Sequence, residues 1–225
     1  MSGNHVEVRF GQASERGRRE TNDDCASIRE SESNARTIVA AIADGVSGAG
    51  GRLAAETVVR GFLDGLQSEP ATLTVERATS RVLAAMNRWV HAQGQQDALR
   101  RGMATTFTAV ILRGRRLHSL HVGDTRAYRL RDGTLTLLTR DHTRDHPDLR
   151  HVLVRAVGLE ETVRPDYSAW DLIPHDRYLL CCDGVHASLK SDQLRELLAE
   201  RTAPDEVAQR IVSAALEAGS HDNVT

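Results

Sequence analysis

Aromatic residues, cysteines and long apolar runs are scarce in this chain of 225 residues, and each scarcity limits what the protein can be. Aromatic side chains make up 4% of the residues, so a core must be built mainly from Ala, Val, Leu and Ile. The three cysteines, Cys25, Cys181 and Cys182, cannot form a disulfide framework, because two are neighbours that point apart in a strand and one thiol is left over. A reduced, cytoplasmic protein is the expected class.

A strong charge, a secretory signal and a membrane-spanning segment are also missing. The formal net charge of -2 gives no reason to expect nucleic acid or an anionic membrane as a partner. The N-terminal residues MSGNHVEVRF lack the apolar stretch of a secretory signal, and no apolar run approaches the length that crosses a bilayer. Because the composition does not shift along the chain, we predict a single domain over residues 1–225.

Hydrophobic periodicity predicts strands that alternate with pairs of helices. Apolar residues every three or four positions mark the buried faces of two helices, Ala54, Val58, Phe62 and Leu66 in the first and Ala78, Val82, Met86 and Trp89 in the second. Apolar runs predict strands at Arg36–Ala43, Thr105–Leu112, Leu117–Val122, Ala127–Leu130, Thr134–Leu138 and Tyr178–Cys182. Asp132-Gly133 predicts a hairpin turn, and Ser47–Gly51 predicts a loop. Ser191 is the predicted N-cap of a third helix, and Thr202 opens a fourth. This order predicts an α+β fold with helices on both sides of the sheets.

Four aspartates at turn-like breaks predict a site for hard metal ions. They are Asp24, Asp44, Asp183 and Asp222. Two of them follow apolar runs and precede a glycine, where a strand ends and its last carboxylate can project into a shared cleft. A single Asp before Gly is usually a turn residue, but four carboxylates without a histidine–cysteine cluster point to Mg²⁺ or Mn²⁺ rather than zinc. If all four meet, one must bridge two ions, which can share a water and aim it at phosphorus.

Arg19 is the candidate for gripping a phosphate beside these carboxylates. It lies five residues before Asp24, and a guanidinium can pair two phosphoryl oxygens at once. The alternative is an ordinary surface arginine in the basic run Arg16–Arg19, and the position of Arg19 taken alone favours that alternative.

Six segments carry a resemblance to a known family. In chain order they are RETNDD, ADGVSG, GMATTFTAV, HVGDTRAYRLRDGTLTLLTRDHT, LLCCDGV and SHDNVT. Together they resemble the motifs of the metal-dependent protein phosphatases, the 2C-type protein serine/threonine phosphatases, from about Phe10 to Thr225. The resemblance, closest to bacterial members, implies a four-layer α-β-β-α sandwich of two mainly antiparallel sheets flanked by helix pairs. It also implies hydrolysis of phosphoserine and phosphothreonine by a metal-activated water at a dinuclear Mn²⁺ or Mg²⁺ centre.

The resemblance assigns ligand roles to the matched residues. Asp44 would bridge the two metals, and the backbone carbonyl of Gly45 would bind one of them. Asp183 and Asp222 would hold the first metal. Asp24 would serve the second, largely through water.

Three further roles follow from the same resemblance. Arg19 would bind the substrate phosphate, which makes Arg19 and Asp44 the predicted catalytic residues. Asp124 matches a position that helps to hold a third, weaker ion, and its alternative is a structural turn residue. Asp23 is a candidate supporting residue behind the ligands.

Two departures from the family pattern concern the flap and the C-terminus. The segment between Asp141-His142 and Val157-Gly158 is short where many bacterial members carry a longer flap. The chain stops at Thr225, where SHDNVT would enter a core strand, so we expect a missing C-terminal strand. Short-flap relatives with the phrase DGVH include the phosphatase half of phosphatase–kinase fusions. A piece of such a chain and a natural short form are both open.

Two other functions stay open beside an active protein phosphatase. One is a non-catalytic signalling module on the same fold, and the other is a hydrolase of small phosphate esters. The complete carboxylate set favours catalysis over the first, whereas the short flap keeps the second open. The expected partner is a phosphorylated protein, a serine/threonine kinase or one of its targets.

Overall fold

The structure, a computed structural model, describes residues 7–31, 37–46, 50–96, 100–149 and 152–225. Arg36, the first residue of a predicted strand, and residues 47–49 of the predicted loop lie outside these ranges. The strands within them are β1 (Asp24–Ser31), β2 (Thr37–Asp44), β3 (Phe107–Arg113), β4 (Arg116–Val122), β5 (Arg126–Arg131), β6 (Thr134–Leu137), β7 (Asp166–Asp171) and β8 (Arg177–Cys181). The helices are α1 (Gly51–Ser68), α2 (Val75–Gln96), α3 (Asp183–His186), α4 (Ser191–Leu198) and α5 (Pro204–Glu217). No described helix is both long and apolar enough to cross a membrane.

Two antiparallel sheets form the two inner layers. The first has the strand order β1-β2-β3-β4-β7, and the second has the order β6-β5-β8. Helices α1 and α2 pack on one face of the first sheet, while α3, α4 and α5 pack on the second sheet. The predicted α+β fold with a four-layer α-β-β-α arrangement is therefore confirmed.

Small side chains let α1 lie close to the first sheet. Its buried face includes Ala54 and Ala55, which pack against Ala41 and Ala43 of β2 in one apolar cluster. Two of the few aromatic residues fill the same cluster, where the rings of Phe62 and Phe107 pack with centroids 4.8 Å apart. A core that is poor in aromatics thus reaches close packing through alanine.

The hairpin prediction is confirmed, and two strands were not predicted. Asp132 and Gly133 both have positive φ angles, 49° and 75°, as a two-residue turn between β5 and β6 requires. Strands β1 and β7 have no predicted counterpart, because both are edge strands of the first sheet. An edge strand is partly exposed, so its sequence lacks the apolar run of a central strand.

Two details of the helices differ from the prediction. Trp89 is 41% exposed, and the buried face of α2 instead includes Asn87, whose amide bonds to the backbone of the turn after Val157. Ser191 is the first residue of α4 rather than its N-cap, which is Lys190. The apolar repeat of α2 predicted the helix but not the buried position of Asn87, because a hydrogen-bonded Asn can replace an apolar residue in a core.

Candidate metal centre

Asp24 and Asp44 lie opposite each other at one end of the first sheet. Asp24 opens β1 and Asp44 closes β2, and the antiparallel register pairs the two positions. Two residues further along the same strands, Ala26 and Ile42 pack in the apolar cluster of the second sheet. Because side chains two apart share a face of a strand, both carboxylates face the space between the sheets.

The backbone of Asp44 is fixed by two buried threonines that precede β3. The Asp44 N–H donates to Oγ1 of Thr106 at 2.9 Å. The Asp44 carbonyl accepts hydrogen bonds from the Thr106 N–H at 2.9 Å and from the Thr105 hydroxyl at 2.8 Å. With its backbone donor and acceptor both used, Asp44 has a fixed position from which its carboxylate can meet a ligand.

Gly45 lies where two backbone segments touch. A Cβ at this position would approach the carbonyl carbon of Gly51 to 2.3 Å, so only glycine fits. The Gly45 N–H donates to the carbonyl oxygen of Asp23 at 3.1 Å. The close approach of Gly45 to Gly51 packs the beginning of α1 against the Asp44-Gly45 turn.

The other candidate ligands come from the second sheet and from the C-terminal segment. Asp183 is the first residue of α3 and follows β8, Asp124 lies in the turn between β4 and β5, and Asp222 lies after α5. His186, in α3, has its Nε2 3.0 Å from the carbonyl oxygen of Asp124. A neutral ring that donates from Nε2 therefore links the Asp124 turn to the helix that carries Asp183.

Burial and repulsion between like charges raise the pKa values of Asp24, Asp44, Asp124 and Asp183. The pKa of Asp24 rises to about 6 and that of Asp124 to about 7, while the pKa of Asp44 rises well above its usual value. Burial is the largest cause in each case, because an ionised carboxylate loses hydration. The pKa of Asp183 is also raised, again mainly by burial. The charges of Asp24, Asp183, Asp124 and Asp222 all raise the pKa of Asp44 further, so the fold does bring these five residues together.

Asp24 shows that a cation fits this group. Both of its carboxylate oxygens are buried and have no hydrogen-bond partner among the described residues. Thr225 and the Cys182 thiol lie near enough to lower its pKa, although neither satisfies hydrogen-bond geometry. A buried, unpaired carboxylate is costly unless a cation compensates it. Oxygen donors of this kind suit Mg²⁺ and Mn²⁺.

The carboxylates are not arranged as a finished ligand set. Across the described ranges, no three His, Cys, Asp or Glu side chains are placed to hold one ion. Like charges repel, so a group of carboxylates does not by itself contract around one point. Asp222 is instead paired with Arg19, whose Nη2 lies 2.6 Å from Oδ2 of Asp222. The fit to a cation therefore rests first on the buried, unpaired carboxylate oxygens of Asp24, and the raised pKa values of its neighbours support it.

Arg19 lies at this site rather than on a remote surface. Its pKa is raised first by the hydrogen bond to Asp222, and also by the charges of Asp183 and Asp44. The side chain is 48% exposed, so one part of the guanidinium contacts the carboxylate of Asp222 while another part faces solvent. The position suits a group that meets an incoming phosphate, and the phosphate-binding role stays a prediction.

Asp23 is the one candidate that does not join the group. Its side chain lines a neighbouring open cleft of about 370 Å³, whose other lining residues are Thr21, Gly50, Gly51, Arg52, Leu53 and Glu56. Asp23 supports the site through its backbone carbonyl, which accepts the N–H of Gly45.

The sequence did not indicate Asn223, which organises the segment before β1. Its Oδ1 accepts the Asp23 N–H at 2.8 Å, and its Nδ2 donates to the carbonyl oxygens of Arg16 and Thr21, each at 2.8 Å. Asn223 thereby holds the arginine-bearing loop beside Asp222. A buried polar residue directly after a candidate ligand was the available signal, but its partners lie about two hundred residues away in the chain.

Comparison with known proteins gives one family throughout most of the chain. The profile of the family described as protein phosphatase 2C matches residues 11–218. The serine/threonine protein phosphatase PstP of Mycobacterium tuberculosis is 33% identical in an alignment 202 residues long, which covers 82% of this chain and 38% of PstP. The chain thus spans well under half the length of that relative. The serine/threonine phosphatase stp of Listeria welshimeri is 28% identical over 98% of this chain and 93% of its own length.

Comparison with solved structures gives the same result as comparison of the sequences. The crystal structure of the M. tuberculosis phosphatase PstP/Ppp superposes with a TM-score of 0.84 at 31% identity, and the match covers 96% of this chain and 95% of that one. PppA of Pseudomonas aeruginosa superposes with a TM-score of 0.80 at 29% identity, covering 94% and 92% of the two chains.

Proposed function

Because the chain belongs to the protein phosphatase 2C family, we propose that it is a metal-dependent protein serine/threonine phosphatase. The observation that supports this proposal is that Asp24, Asp44, Asp183 and Asp222 lie near enough for their charges to act on one another, with Arg19 bonded to Asp222 beside them. A buried carboxylate group next to an exposed guanidinium combines a site for cations with a site for a phosphate dianion.

The carboxylates would hold two Mn²⁺ or Mg²⁺ ions. Asp44 would bridge them, the carbonyl of Gly45 would bind one, Asp183 and Asp222 would hold the first, and Asp24 would serve the second. When bound, the two metal ions would act as Lewis acids that activate a water molecule and would neutralise charge on the phosphoryl group. The catalytic domain of the mycobacterial relative PstP has been solved in complex with two manganese ions, which supports the same choice of metal here. Asp124 is the candidate ligand for a third, weaker ion.

The chain's own residues would position the substrate and the ligands. Arg19 would leave Asp222 in part and pair two oxygens of the phosphoryl group, which orients the phosphorus towards the carboxylate group. The charge that develops on those oxygens during in-line attack would be stabilised by the same guanidinium. Thr105 and Thr106 would keep the backbone of Asp44 in place throughout, because both bond to it directly.

The two alternatives from the sequence are less well supported. A non-catalytic module has no use for four carboxylates whose pKa values are raised by burial and by neighbouring charge, those of Asp24, Asp44, Asp124 and Asp183. Replacing one of them would relieve the repulsion, so a protein that binds no cation would gain stability by losing them. A hydrolase of small phosphate esters would use the same site, but the relatives with matching sequence are named as protein phosphatases. A phosphorylated protein is therefore the proposed substrate class. A kinase or its targets as partner, and a cytoplasmic location, stay predictions.

Metal removal tests the proposal directly. With Mn²⁺ present, the protein should release phosphate from a phosphothreonine peptide and from para-nitrophenyl phosphate, and an excess of EDTA should reduce both rates to background. Readdition of Mn²⁺ or Mg²⁺ should restore them. We expect kcat/KM for the peptide to exceed that for the small ester.

Two results would contradict it in different ways. No release from either substrate with Mn²⁺ or Mg²⁺ would favour the non-catalytic module. A kcat/KM for para-nitrophenyl phosphate above that for a range of phosphopeptides would favour the small-ester hydrolase.

A further inference from the structure

His142 is bound to Gly123 through both its backbone and its ring. The His142 N–H donates to the carbonyl oxygen of Gly123 at 2.7 Å, and the Gly123 N–H donates to Nδ1 of His142 at 3.1 Å. The imidazole is buried, with 3% of the residue exposed. Gly123 directly precedes Asp124, so this closed pair of hydrogen bonds fixes the residue from which Asp124 projects.

Gly123 also lies against the support of Asp44. Its φ angle is 107°, and a Cβ there would approach Cβ of Thr106 to 2.6 Å. Thr106 is the residue that accepts the Asp44 N–H. A displacement of Gly123 would therefore disturb Asp124 first and the backbone of Asp44 next.

On its other side, the His142 ring faces Asp166 of β7. Nε2 of His142 lies 3.1 Å from Oδ2 of Asp166, an electrostatic contact because the ring N–H is not aligned for a hydrogen bond. The second oxygen of the same carboxylate accepts from Nη1 of Arg155 at 2.8 Å. His142 and Arg155 are the two ends of the segment 142–155, so Asp166 holds both ends of that segment at one point.

The ring is neutral in this arrangement. Burial lowers the pKa of His142, and its partner His121, whose ring centroid is 4.8 Å away, has a pKa lowered to about 4 by burial as the main cause. Nδ1 accepts the Gly123 N–H, so the single ring proton must be on Nε2, on the side of Asp166. Nδ1 thus accepts from Gly123 while the protonated Nε2 lies beside the carboxylate of Asp166, and only the tautomer with its proton on Nε2 allows both contacts.

We infer that His142 is a positioning residue for Asp124, because it joins the turn that carries Asp124 to the base of the segment 142–155. The inference rests on the proposed function in one respect, since Asp124 matters as a candidate metal ligand of that site. His142 would contact neither the ions nor the substrate. Through His142, a change in the geometry of the segment 142–155 would change the position of Asp124.

Two amide substitutions separate the two sides of the ring. His142→Asn keeps an acceptor oxygen at the same distance from the backbone as Nδ1, so it retains the bond from Gly123. His142→Gln places its amide one bond further out, towards Asp166, and loses that acceptor. The two variants are similar in size and polarity, so a merely structural role would affect both alike.

The readout is Mn²⁺ binding by calorimetry, with Asp124→Asn as the reference that identifies the binding step to which Asp124 contributes. We expect His142→Gln to weaken that step by about tenfold, the lower end of the range for residues that orient metal ligands. His142→Asn should stay within about threefold of the parent protein. Equal affinities for the Gln variant and the parent, equal losses in Asn and Gln, or no step weakened by Asp124→Asn would each overturn the inference.

A second measurement needs no variant. In ¹⁵N-labelled parent protein without metal, the Gly123 amide should show a through-hydrogen-bond coupling to Nδ1 of His142 and slow exchange with solvent. Absence of the coupling together with fast exchange would overturn the inference even if the variants failed to fold. Neither readout depends on turnover, so a failure of the proposed phosphatase activity would be recognised separately.

Discussion

Replacement of Asp44 by Asn is expected to abolish turnover of a phosphothreonine peptide while the fold survives. Asp44 is the carboxylate on which the charges of the other four act, and it is the proposed bridge between two ions. A neutral amide cannot bridge two cations, and even one lost hydrogen-bond donor in a catalytic site costs about 10²–10³ in rate. We therefore expect kcat to fall by at least about 10³-fold at saturating Mn²⁺. Turnover within tenfold of the parent would remove Asp44 from the bridging role.

The same substitution should stabilise the metal-free protein. Burial and the neighbouring carboxylates raise the pKa of Asp44, so the folded state binds its proton more tightly than the unfolded chain does. Such a group favours folding at low pH, and this contribution is lost as the pH rises towards the folded pKa. At pH 8 in EDTA, Asp44→Asn should consequently melt at a higher temperature than the parent.

Asp132→Asn is the matched control, because Asp132 also precedes a glycine but lies in the β5–β6 hairpin. Asn-Gly suits that turn as well as Asp-Gly does. We expect this control to leave kcat and the metal-free melting temperature close to those of the parent. An equal loss of turnover in both variants would show that the effect of Asp44→Asn is not specific to the site.

Arg19→Ala should mainly raise KM for the phosphopeptide. The proposed loss is a charge-assisted pair with the phosphate, worth about 1.5–3 kcal/mol, which corresponds to about 10- to 150-fold. In the structure the guanidinium pairs with Asp222. The Mn²⁺ concentration for half-maximal activity separates the two contacts, because a role through Asp222 alone would change that concentration and leave KM unaltered.

Arg18→Ala is the control for the neighbouring positive charge. Arg18 is exposed, and its Nη1 lies 3.2 Å from Nδ1 of His221 rather than beside a carboxylate of the site. We expect KM to change by less than about threefold in this variant, as for other surface charges. Unchanged KM and kcat in Arg19→Ala, or equal changes in both variants, would return Arg19 to the status of a surface arginine.

The sequence located the parts of the site that depend on short-range pattern. Asp44 and Asp183 could be predicted because an apolar strand leads into each of them and a glycine follows. The order of the motifs identified the family and the layers of the fold. The edge strand that begins at Asp24 was missed although Asp24 itself was not, since half-exposed strands lack an apolar run.

Contacts between distant segments could not be read from the sequence. Asn223 holds a loop two hundred residues before it, and the ring of His142 joins Gly123 to Asp166 from three separate elements. Each of these residues looks like an ordinary polar residue until the sheets are assembled. The supporting role of Asp23 stays a prediction, and it depends on a distant contact of the same kind, because its backbone carbonyl accepts the N–H of Gly45.

Anomalous scattering from crystals soaked in Mn²⁺ tests the central claim most directly, namely that these carboxylates hold a pair of hard cations. The account predicts two strong peaks about 3.5–4 Å apart, with the carboxylate of Asp44 bound to both and with Asp183 and Asp222 on the same ion. Well-ordered crystals with no peak within bonding distance of Asp44, at Mn²⁺ concentrations that support the highest activity, would contradict it.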